Sequence, residues 1–283
     1  MIVVRLSGGL GNQLFQYALA RSLMSKGQNV RLDGSFLAAD QGSQTKRNCL
    51  VQKFNIEVGF INFYQKVFFK VLGLINIIVP KKRKIIIYDN NFVFDSDVLK
   101  LNGNKYLLGN WLSPRYFEDI RTVLLKEISL VSELSSEANF FLSKILSSNS
   151  VSIHVRHGDY VKYSNKFKLL DLDYYTSAIE YIRSKINNPT FFIFTDDIDY
   201  VRNKLGFSGD NFIYVSGNGI PDYEDLVLMS KCSHNIIANS SFSFWAGWLN
   251  QNRDKVVIAP KILRSDFKDT SDFIPDYLEW IRL

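Results

Sequence analysis

The sequence has few cysteines and no long apolar run, and each shortage excludes a class of protein. Its two cysteines, Cys49 and Cys232, lack the spacing of a zinc site or a disulfide framework, so a reducing cytosol is the expected environment. No apolar run reaches about 18 residues, so we do not expect a transmembrane helix. A secretory signal peptide is not expected either, because polar glycines closely follow the short apolar stretch in MIVVRLSGGLGNQ.

The composition is that of an ordinary globular protein. Apolar residues make up 46% of the 283 residues and charged residues 22%, which excludes intrinsic disorder and collagen-like repeats. At roughly 150 residues per domain, this length predicts two domains. The net charge of +6 suits an anionic substrate or an anionic membrane surface. The basic residues are not gathered on one helix or arm, so nucleic-acid binding is not indicated.

The order of predicted strands and helices indicates an α/β protein. A strand at 2–6, a glycine turn and a helix at about 12–26 open a first α/β unit, and a new series of strands and helices begins at residue 150. We therefore predict two Rossmann-like domains, 1–148 and 149–283, facing each other across a cleft. Ligands of such folds bind at the carboxyl ends of the strands.

Two loops that follow predicted strands contain residues suited to an anion. The first, SGGLGN at 7–12, lies at a strand-to-helix turn, where backbone amides and the helix dipole attract anions. Its spacing matches neither a dinucleotide fingerprint nor a P-loop, and a tight turn alone explains it equally well. The second is HVRHGDY at 154–160. His154 and Arg156 share one face of the strand, and a guanidinium offers a fork of donors that matches two phosphate oxygens.

Two further loops contain carboxylates and hydroxyl groups. In FIFTDDID at 192–199, Asp196 and Asp197 suit a base or a ribose, whereas Asp197 and Asp199 have the Asp-X-Asp spacing of a metal site. A carboxylate here also suits a helix N-cap. In NSSFS at 239–243, hydroxyl groups and amides at a predicted helix start favour an anion site, because capping alone needs one serine.

Together these motifs resemble the bacterial α1,2-fucosyltransferases. The resemblance rests on four stretches in the family's order, GGLGNQLFQYA at 8–18, HVRHGDY at 154–160, FIFTDDI at 192–198 and NSSFSFWAGWL at 239–249. It implies a GT-B glycosyltransferase that uses GDP-β-L-fucose without a metal ion or other cofactor. It also implies inverting transfer to the 2-hydroxyl of a galactose in a bacterial surface oligosaccharide, which we expect to be lipid-linked.

The resemblance also implies roles for individual residues. Arg156 would bind the pyrophosphate with the support of His154, while Asp196 and Asp197 would face the guanosine. The other donor contacts would come from Ser240, Ser241, Phe242, Gly9, Gly11 and Asn12. Trp111 would contact the acceptor, in a stretch where the family usually has Gln in place of Leu112.

Two residues of the HVRHGDY loop have alternative interpretations. Asp159 is the candidate general base, and it equally suits a carboxylate that only orients Arg156 or the loop. His157 stands where the family usually has a second Arg, which predicts a weaker phosphate grip near neutral pH. Alternatively, His157 points away from the phosphates and hydrogen-bonds its own loop.

The sequence leaves two alternative functions open, and one segment has two interpretations. The chain could be a metal-dependent transferase that uses Asp197 and Asp199, or a non-catalytic module that binds a sugar nucleotide or a glycan. The segment VFFKVLGLINIIV at 67–79 precedes the basic run KKRK at 81–84. It predicts either a buried core segment or an interfacial patch in peripheral contact with an anionic membrane.

Overall fold

The chain forms two units. The structure, a computed structural model, describes residues 1–37, 47–75, 84–89, 93–158, 169–261 and 271–283. Unit 1 is Met1–Val131 with Ser271–Pro275, and unit 2 is Ser132–Thr270 with Asp276–Leu283. This division comes earlier than the predicted boundary at 148, because the helix at Ser136–Leu146 packs on elements of unit 2. Within the described residues, no helix is long and apolar enough to cross a membrane.

A parallel sheet lies at the centre of unit 1. In the described residues its strands are β1 (Ile2–Arg5), β2 (Val30–Asp33), β3 (Ile86–Tyr88) and β4 (Lys105–Leu108), in the order β2-β1-β4-β3. Every neighbouring pair is parallel. The apolar run of β1 is fully buried, as expected for a strand covered on both faces of a parallel sheet.

Helices of unit 1 flank this sheet. They are α1 (Leu10–Ser25), α2 (Phe63–Ile75) and α3 (Arg121–Glu127), with 3₁₀ turns at Leu50–Lys53, Ser96–Lys100, Pro114–Tyr116 and Glu118–Ile120. The predicted helix at 12–26 is confirmed as α1, which begins two residues earlier. Part of the predicted apolar-basic segment forms α2, whereas residues 76–83 lie outside the described residues.

Unit 2 is built on a second parallel sheet. Within the described residues its order is β10-β9-β8-β5-β6-β7. The strands are β5 (Asn149–Val155), β6 (Pro189–Thr195), β7 (Phe212–Tyr214), β8 (His234–Ile236), β9 (Val257–Ala259) and β10 (Ile281–Arg282). All neighbouring pairs are parallel. The short strand β10 has no counterpart in the sequence prediction.

The described residues of unit 2 form four longer helices. They are α4 (Ser136–Leu146), α5 (Leu172–Lys185), α6 (Asp222–Lys231) and α7 (Ser241–Leu249), with shorter helical turns at Ile198–Tyr200, Val201–Leu205 and Asp276–Leu278. Side chains cap three of these helices: Ser135 accepts from the Ala138 amide, Asp171 from that of Tyr174, and Ser240 from that of Phe242. Short polar residues therefore mark helix starts as their propensity predicts.

A buried amide network joins α6, α7 and the sheet of unit 2. Asn235 Nδ2 donates to Ser152 Oγ at 2.8 Å and to the Met229 carbonyl at 2.9 Å. Asn250 Nδ2 donates to Asn235 Oδ1 at 2.8 Å and to the Cys232 carbonyl at 2.9 Å. Both asparagines are buried, so the network satisfies groups that water does not reach.

We expect Asn235→Ala to lower the free energy of unfolding by about 2–4 kcal/mol, because it leaves buried partners unsatisfied. Asn252→Ala is the matched control. Asn252 Nδ2 also donates to a carbonyl, that of Ser233 at 3.0 Å, but at an exposed position. We expect the control to cost less than about 1 kcal/mol. Urea denaturation measures both values, and equal costs would contradict the importance of the network.

Candidate functional site

The candidate residues of unit 2 lie at the carboxyl ends of β5 and β6. These strands pair in parallel, with Val155 opposite Thr195. The loops that follow, which begin at Arg156 and at Asp196, therefore start side by side. Residues about 40 positions apart in the chain become neighbours through this register.

The Asp196 carboxylate holds the loop after β5. Its Oδ2 forms an ion pair with Arg156 Nη1 at 3.0 Å, and both side chains are partly exposed. Its Oδ1 accepts hydrogen bonds from the backbone amides of His157 at 2.9 Å and Gly158 at 3.2 Å. A Cβ at position 158 would lie 2.9 Å from Asp196 Oδ2, so only glycine permits this approach without a shift. Asp196 thus orients both the guanidinium and the loop.

His157 and Asp197 form a second contact between the two loops. His157 Nδ1 lies 2.8 Å from Asp197 Oδ2, and the imidazole stacks on the Tyr200 ring at 3.6 Å between centroids. Asp197 Oδ1 accepts from the Tyr200 amide at 3.0 Å and caps the turn Ile198–Tyr200. The hydrogen bonds from the Tyr200 amide and from His157 lower the pKa of Asp197. The capping interpretation of Asp197 is confirmed, and His157 binds the neighbouring loop instead of its own.

Asp196 and Asp197 therefore bind protein groups in this structure, and their expected guanosine contacts stay a prediction. The alternative of a metal site at Asp197 and Asp199 also stays a prediction. Both oxygens of Asp197 accept or share hydrogen bonds with protein groups. Among the residues that the structure describes, no group of three or more His, Cys, Asp or Glu side chains is arranged to hold a metal ion. Asp159, the candidate base, lies outside the described residues.

His154 is a neutral, buried contact between β5 and α7. Its ring lies 5.4 Å from that of Phe242, and its Nδ1 is buried without a hydrogen-bond partner. Burial, and next the nearby Arg156 charge, lowers the pKa of His154 to about 3. His154 therefore adds no charge near neutral pH. It supports the start of α7 by packing.

The serines before and within α7 have structural partners. Ser240 caps the helix, since its Oγ accepts from the Phe242 amide at 3.3 Å. Ser243 Oγ accepts from the Ala238 amide at 3.2 Å and lies 3.3 Å from the Ala238 carbonyl, which fastens the turn between β8 and α7. Two of the three serines thus shape the helix start. Ser241 and Phe242 are half-buried in its first turn.

The glycine loop of unit 1 leads directly into α1. Gly8 has φ +75°, and a Cβ there would lie 2.6 Å from Asn12 Nδ2, so a side chain would strain this turn. Gly9 precedes the helix and provides no side-chain cap. Gly11 and Asn12 lie in the first turn, whose amide groups are the part of a helix that attracts anions. The tight turn is confirmed, and the anion contact stays a prediction.

Two buried glutamines of α1, which the sequence analysis did not single out, hold this loop. Gln13 Nε2 donates to the carbonyls of Gly8 at 3.0 Å and Asn48 at 2.9 Å. Gln16 Oε1 accepts from the Ser7 amide at 2.9 Å, and its Nε2 donates to the Gly109 carbonyl at 2.9 Å. The available signal was two amide side chains three residues apart, within the apolar stretch of α1 between Leu10 and Ala20.

Trp111, the expected acceptor contact, is buried. Its indole is 1% exposed and meets the Tyr116 ring edge-on at 5.9 Å. Its backbone has φ +56°, and Asp89 Oδ2 accepts from its amide at 3.0 Å. This turn directs the ring into a packed environment. Trp111 therefore packs within the protein in this structure, and its expected contact with the acceptor stays a prediction.

Asp225 is a further carboxylate near the end of β6 that the sequence analysis missed. Its Oδ2 accepts from Ser216 Oγ at 3.2 Å, and Ser216 Oγ in turn accepts from the Thr195 amide at 2.9 Å. Its Oδ1 is buried without a hydrogen-bond partner. Burial raises the pKa of Asp225 to about 7. A single Asp within the acidic start of α6 gives no sequence signal for this environment.

These shifted groups predict the pH dependence of stability. Folded His154 has a pKa of about 3, whereas an unfolded histidine titrates near 6.5, so the unfolded state alone binds this proton between these values. The His154 contribution falls as pH drops below about 6.5, by up to about 1.4 kcal/mol per pH unit. Burial also lowers the pKa of His234, with the same sign. The raised pKa of Asp225 acts oppositely, because it lowers the free energy of unfolding by a growing amount as pH rises from about 4 to 7.

We therefore compare the free energy of unfolding of His154→Gln with that of the unchanged protein. As pH falls from 6.5 to 4.5, the variant should become more stable relative to the unchanged protein, because glutamine binds no proton. The Asp225→Asn comparison should shift towards the variant as pH rises over the same range. Urea denaturation at several pH values measures both. A difference that does not vary with pH would contradict the assignment for that residue.

Comparison with known proteins gives consistent matches. Residues 1–282 match the sequence profile of Glycosyl transferase family 11. An alpha-1,2-colitosyltransferase from Escherichia coli is 30% identical, over 100% of this chain and 99% of that protein. The O-antigen biosynthesis glycosyltransferase WbnK from Escherichia coli is 31% identical, over 90% and 92%. Fucosyltransferase NodZ from Bradyrhizobium is similar in structure, with a TM-score of 0.57, 16% identity and coverage of 87% and 91%. The structural likeness shows a GT-B fold, as the sequence predicts.

Proposed function

The chain belongs to glycosyl transferase family 11, and from that premise we propose that it transfers L-fucose from GDP-β-L-fucose to the 2-hydroxyl of a galactose in an oligosaccharide. The main support within the structure is the oriented Arg156 at the carboxyl ends of β5 and β6. A sugar nucleotide has a diphosphate that such a group can bind. The related E. coli proteins support an α1,2 linkage and a bacterial surface glycan as product.

In the proposed reaction the acceptor oxygen bonds to the anomeric carbon as the bond to GDP breaks, which inverts that carbon. Negative charge then grows on the leaving diphosphate. Oriented donors stabilise such charge best when they are in place beforehand. Asp196 orients the Arg156 guanidinium in this way, and a guanidinium has five N–H donors, so an ion pair with one nitrogen is compatible with a phosphate contact.

The start of α7 is the proposed second contact for the diphosphate. Ser240, Ser241 and Phe242 lie at the positive end of the helix dipole, and the His154 ring packs on Phe242. Because His154 is neutral, the charge on the proposed site comes from Arg156 and from amide dipoles. We propose that Arg156 and these amide groups stabilise the diphosphate in place of a metal ion. Asp159 is the proposed base for the acceptor proton.

The direct test is incubation with GDP-fucose and β-galactosyl acceptors in EDTA, followed by linkage analysis of the product. We expect an α1,2-fucosyl galactoside. Loss of turnover in EDTA would instead support a metal-dependent transferase that uses Asp197 and Asp199. Retention of GDP-fucose without turnover on any acceptor would support a binding module. Because one relative is a colitosyltransferase, GDP-colitose is the competing donor to compare.

Arg156→Lys tests the diphosphate contact. Lysine keeps the charge but lacks the planar fork, so we expect kcat/KM for GDP-fucose to fall at least about tenfold, as loss of a charge-assisted hydrogen bond costs roughly 1.5–3 kcal/mol. The control is Arg253→Lys, at an exposed position outside the site. Steady-state kinetics measures both variants. Activity near that of the unchanged protein would remove Arg156 from the donor site.

Asp159→Asn tests the base, since asparagine keeps the shape and loses the proton acceptor. We expect kcat to fall by roughly 10²–10⁴ with GDP affinity little changed. Asp196→Asn is the comparison: it weakens the ion pair with Arg156, so GDP affinity should fall along with kcat/KM. Steady-state kinetics measures kcat and kcat/KM, and GDP titration measures the affinity for GDP. A loss of GDP affinity in Asp159→Asn would assign that residue a scaffold role.

A further inference from the structure

Helix α2 leaves a continuous apolar stripe exposed on unit 1. Five of its large apolar side chains are exposed: Phe63 (74%), Tyr64 (82%), Val67 (44%), Phe68 (44%) and Val71 (52%). At about 100° per residue, these positions occupy an arc of roughly 140° on the helix. Single exposed apolar side chains are ordinary, whereas a contiguous apolar patch of this kind indicates a binding surface.

The opposite face of α2 already packs on unit 1. Phe69 is buried, and its ring lies 5.7 Å from that of Tyr106 on β4. Gly73 faces Ile86 on β3, since a Cβ at Gly73 would lie 3.5 Å from Ile86 Cδ1. The helix start is fixed by reciprocal hydrogen bonds between Asn62 and Gln65. The exposed stripe is therefore the outer face of a helix that is anchored through its inner face.

Cations border the stripe on one side. Lys66 and Lys70 are exposed and one turn apart, and the helical positions place them between the stripe and the packed face. The sequence of α2, FYQKVFFKVLGLI, contains no Asp or Glu. Lysine stems can lie along apolar surface while their ammonium groups reach polar partners. The outer face thus combines apolar side chains with charged side chains that are all cationic.

We propose that this face of α2 binds the surface of an anionic lipid bilayer. The aromatic and aliphatic side chains would enter the boundary between headgroups and acyl chains, and Lys66 and Lys70 would contact lipid phosphates. Phe63 and Tyr64 suit this depth, because aromatic side chains favour the membrane interface. A helix of 13 residues is about 20 Å long, too short to cross a bilayer, so it lies on the surface.

Charge favours a lipid surface over a second copy of this chain. A two-fold contact between two α2 helices would place Lys66 and Lys70 near the same residues of the other copy, with no acidic residue on either helix to offset them. Anionic headgroups offset both charges. The lipid-linked acceptor expected from the sequence would lie at that same surface. The binding itself requires neither donor nor acceptor, so it does not rest on the proposed function.

The test is co-sedimentation of the full chain with phosphatidylglycerol–phosphatidylcholine vesicles and with pure phosphatidylcholine vesicles. We expect salt-sensitive binding to the anionic vesicles and at least tenfold weaker binding to the neutral ones. Phe63→Ser/Tyr64→Ser/Phe68→Ser should lower the anionic partition coefficient at least about tenfold. Lys66→Ser/Lys70→Ser should lower it by roughly fivefold for each lysine.

The matched control is Phe140→Ser/Lys144→Ser on α4, where an exposed phenylalanine and a lysine also lie one turn apart, with Lys144 Nζ 4.4 Å from the Phe140 ring centroid. We expect its binding to be unchanged, and transfer to a soluble acceptor to be retained by all these variants. The proposal is overturned if the unchanged protein ignores anionic vesicles at low salt, or if the control loses binding as much as the α2 variants. It is equally overturned if α2 mediates dimers without vesicle binding.

Discussion

The Asp196 carboxylate is the constraint on which the rest of the unit 2 site depends. It binds the Arg156 guanidinium with one oxygen and two successive backbone amides of the loop with the other. A loop after a strand has few backbone partners of its own, so one acceptor that satisfies two amides fixes its path. The pair also keeps a charged group oriented before any ligand is present. A side chain at Gly158 would displace the same carboxylate.

Burial sets the charge of the groups around this pair. His154 is held neutral by desolvation and packs as an aromatic ring, while the pKa of Asp225 is raised towards neutrality beneath β6. The pKa of Asp197 is instead lowered, because the Tyr200 amide and His157 hydrogen-bond to its carboxylate. Among the groups of this loop pair, Arg156 carries the positive charge, paired with Asp196. A site built in this way relies on donor geometry more than on summed charge.

Polar side chains that look functional in the sequence often serve the fold. Ser240 and Ser243 shape the start of α7, and Asp197 caps a helical turn. Gln13 and Gln16, which have no recognisable functional pattern, hold the glycine loop to segments 35 and 93 residues away from them in the chain. Each case has one physical reason: a buried backbone group needs a partner, and the nearest suitable side chain supplies it. Serving the fold and binding a ligand are compatible, since the same residues position the loops.

The sequence by itself determined the α/β class, the order of most strands and helices, and the loops in which the site residues lie. Apolar strands, glycine turns and serine or aspartate caps are local features, so β5, β6, α1 and α7 could be predicted from nearby residues alone. Only the tertiary structure decided that Arg156 meets Asp196 and that His157 meets Asp197, because these pairs depend on the register of β5 against β6. It also decided that Trp111 is buried, that the units divide after Val131, and that α2 exposes five of its large apolar side chains. An apolar side chain has the same preference for leaving water wherever it stands, and which face of an element is covered depends on what packs against it.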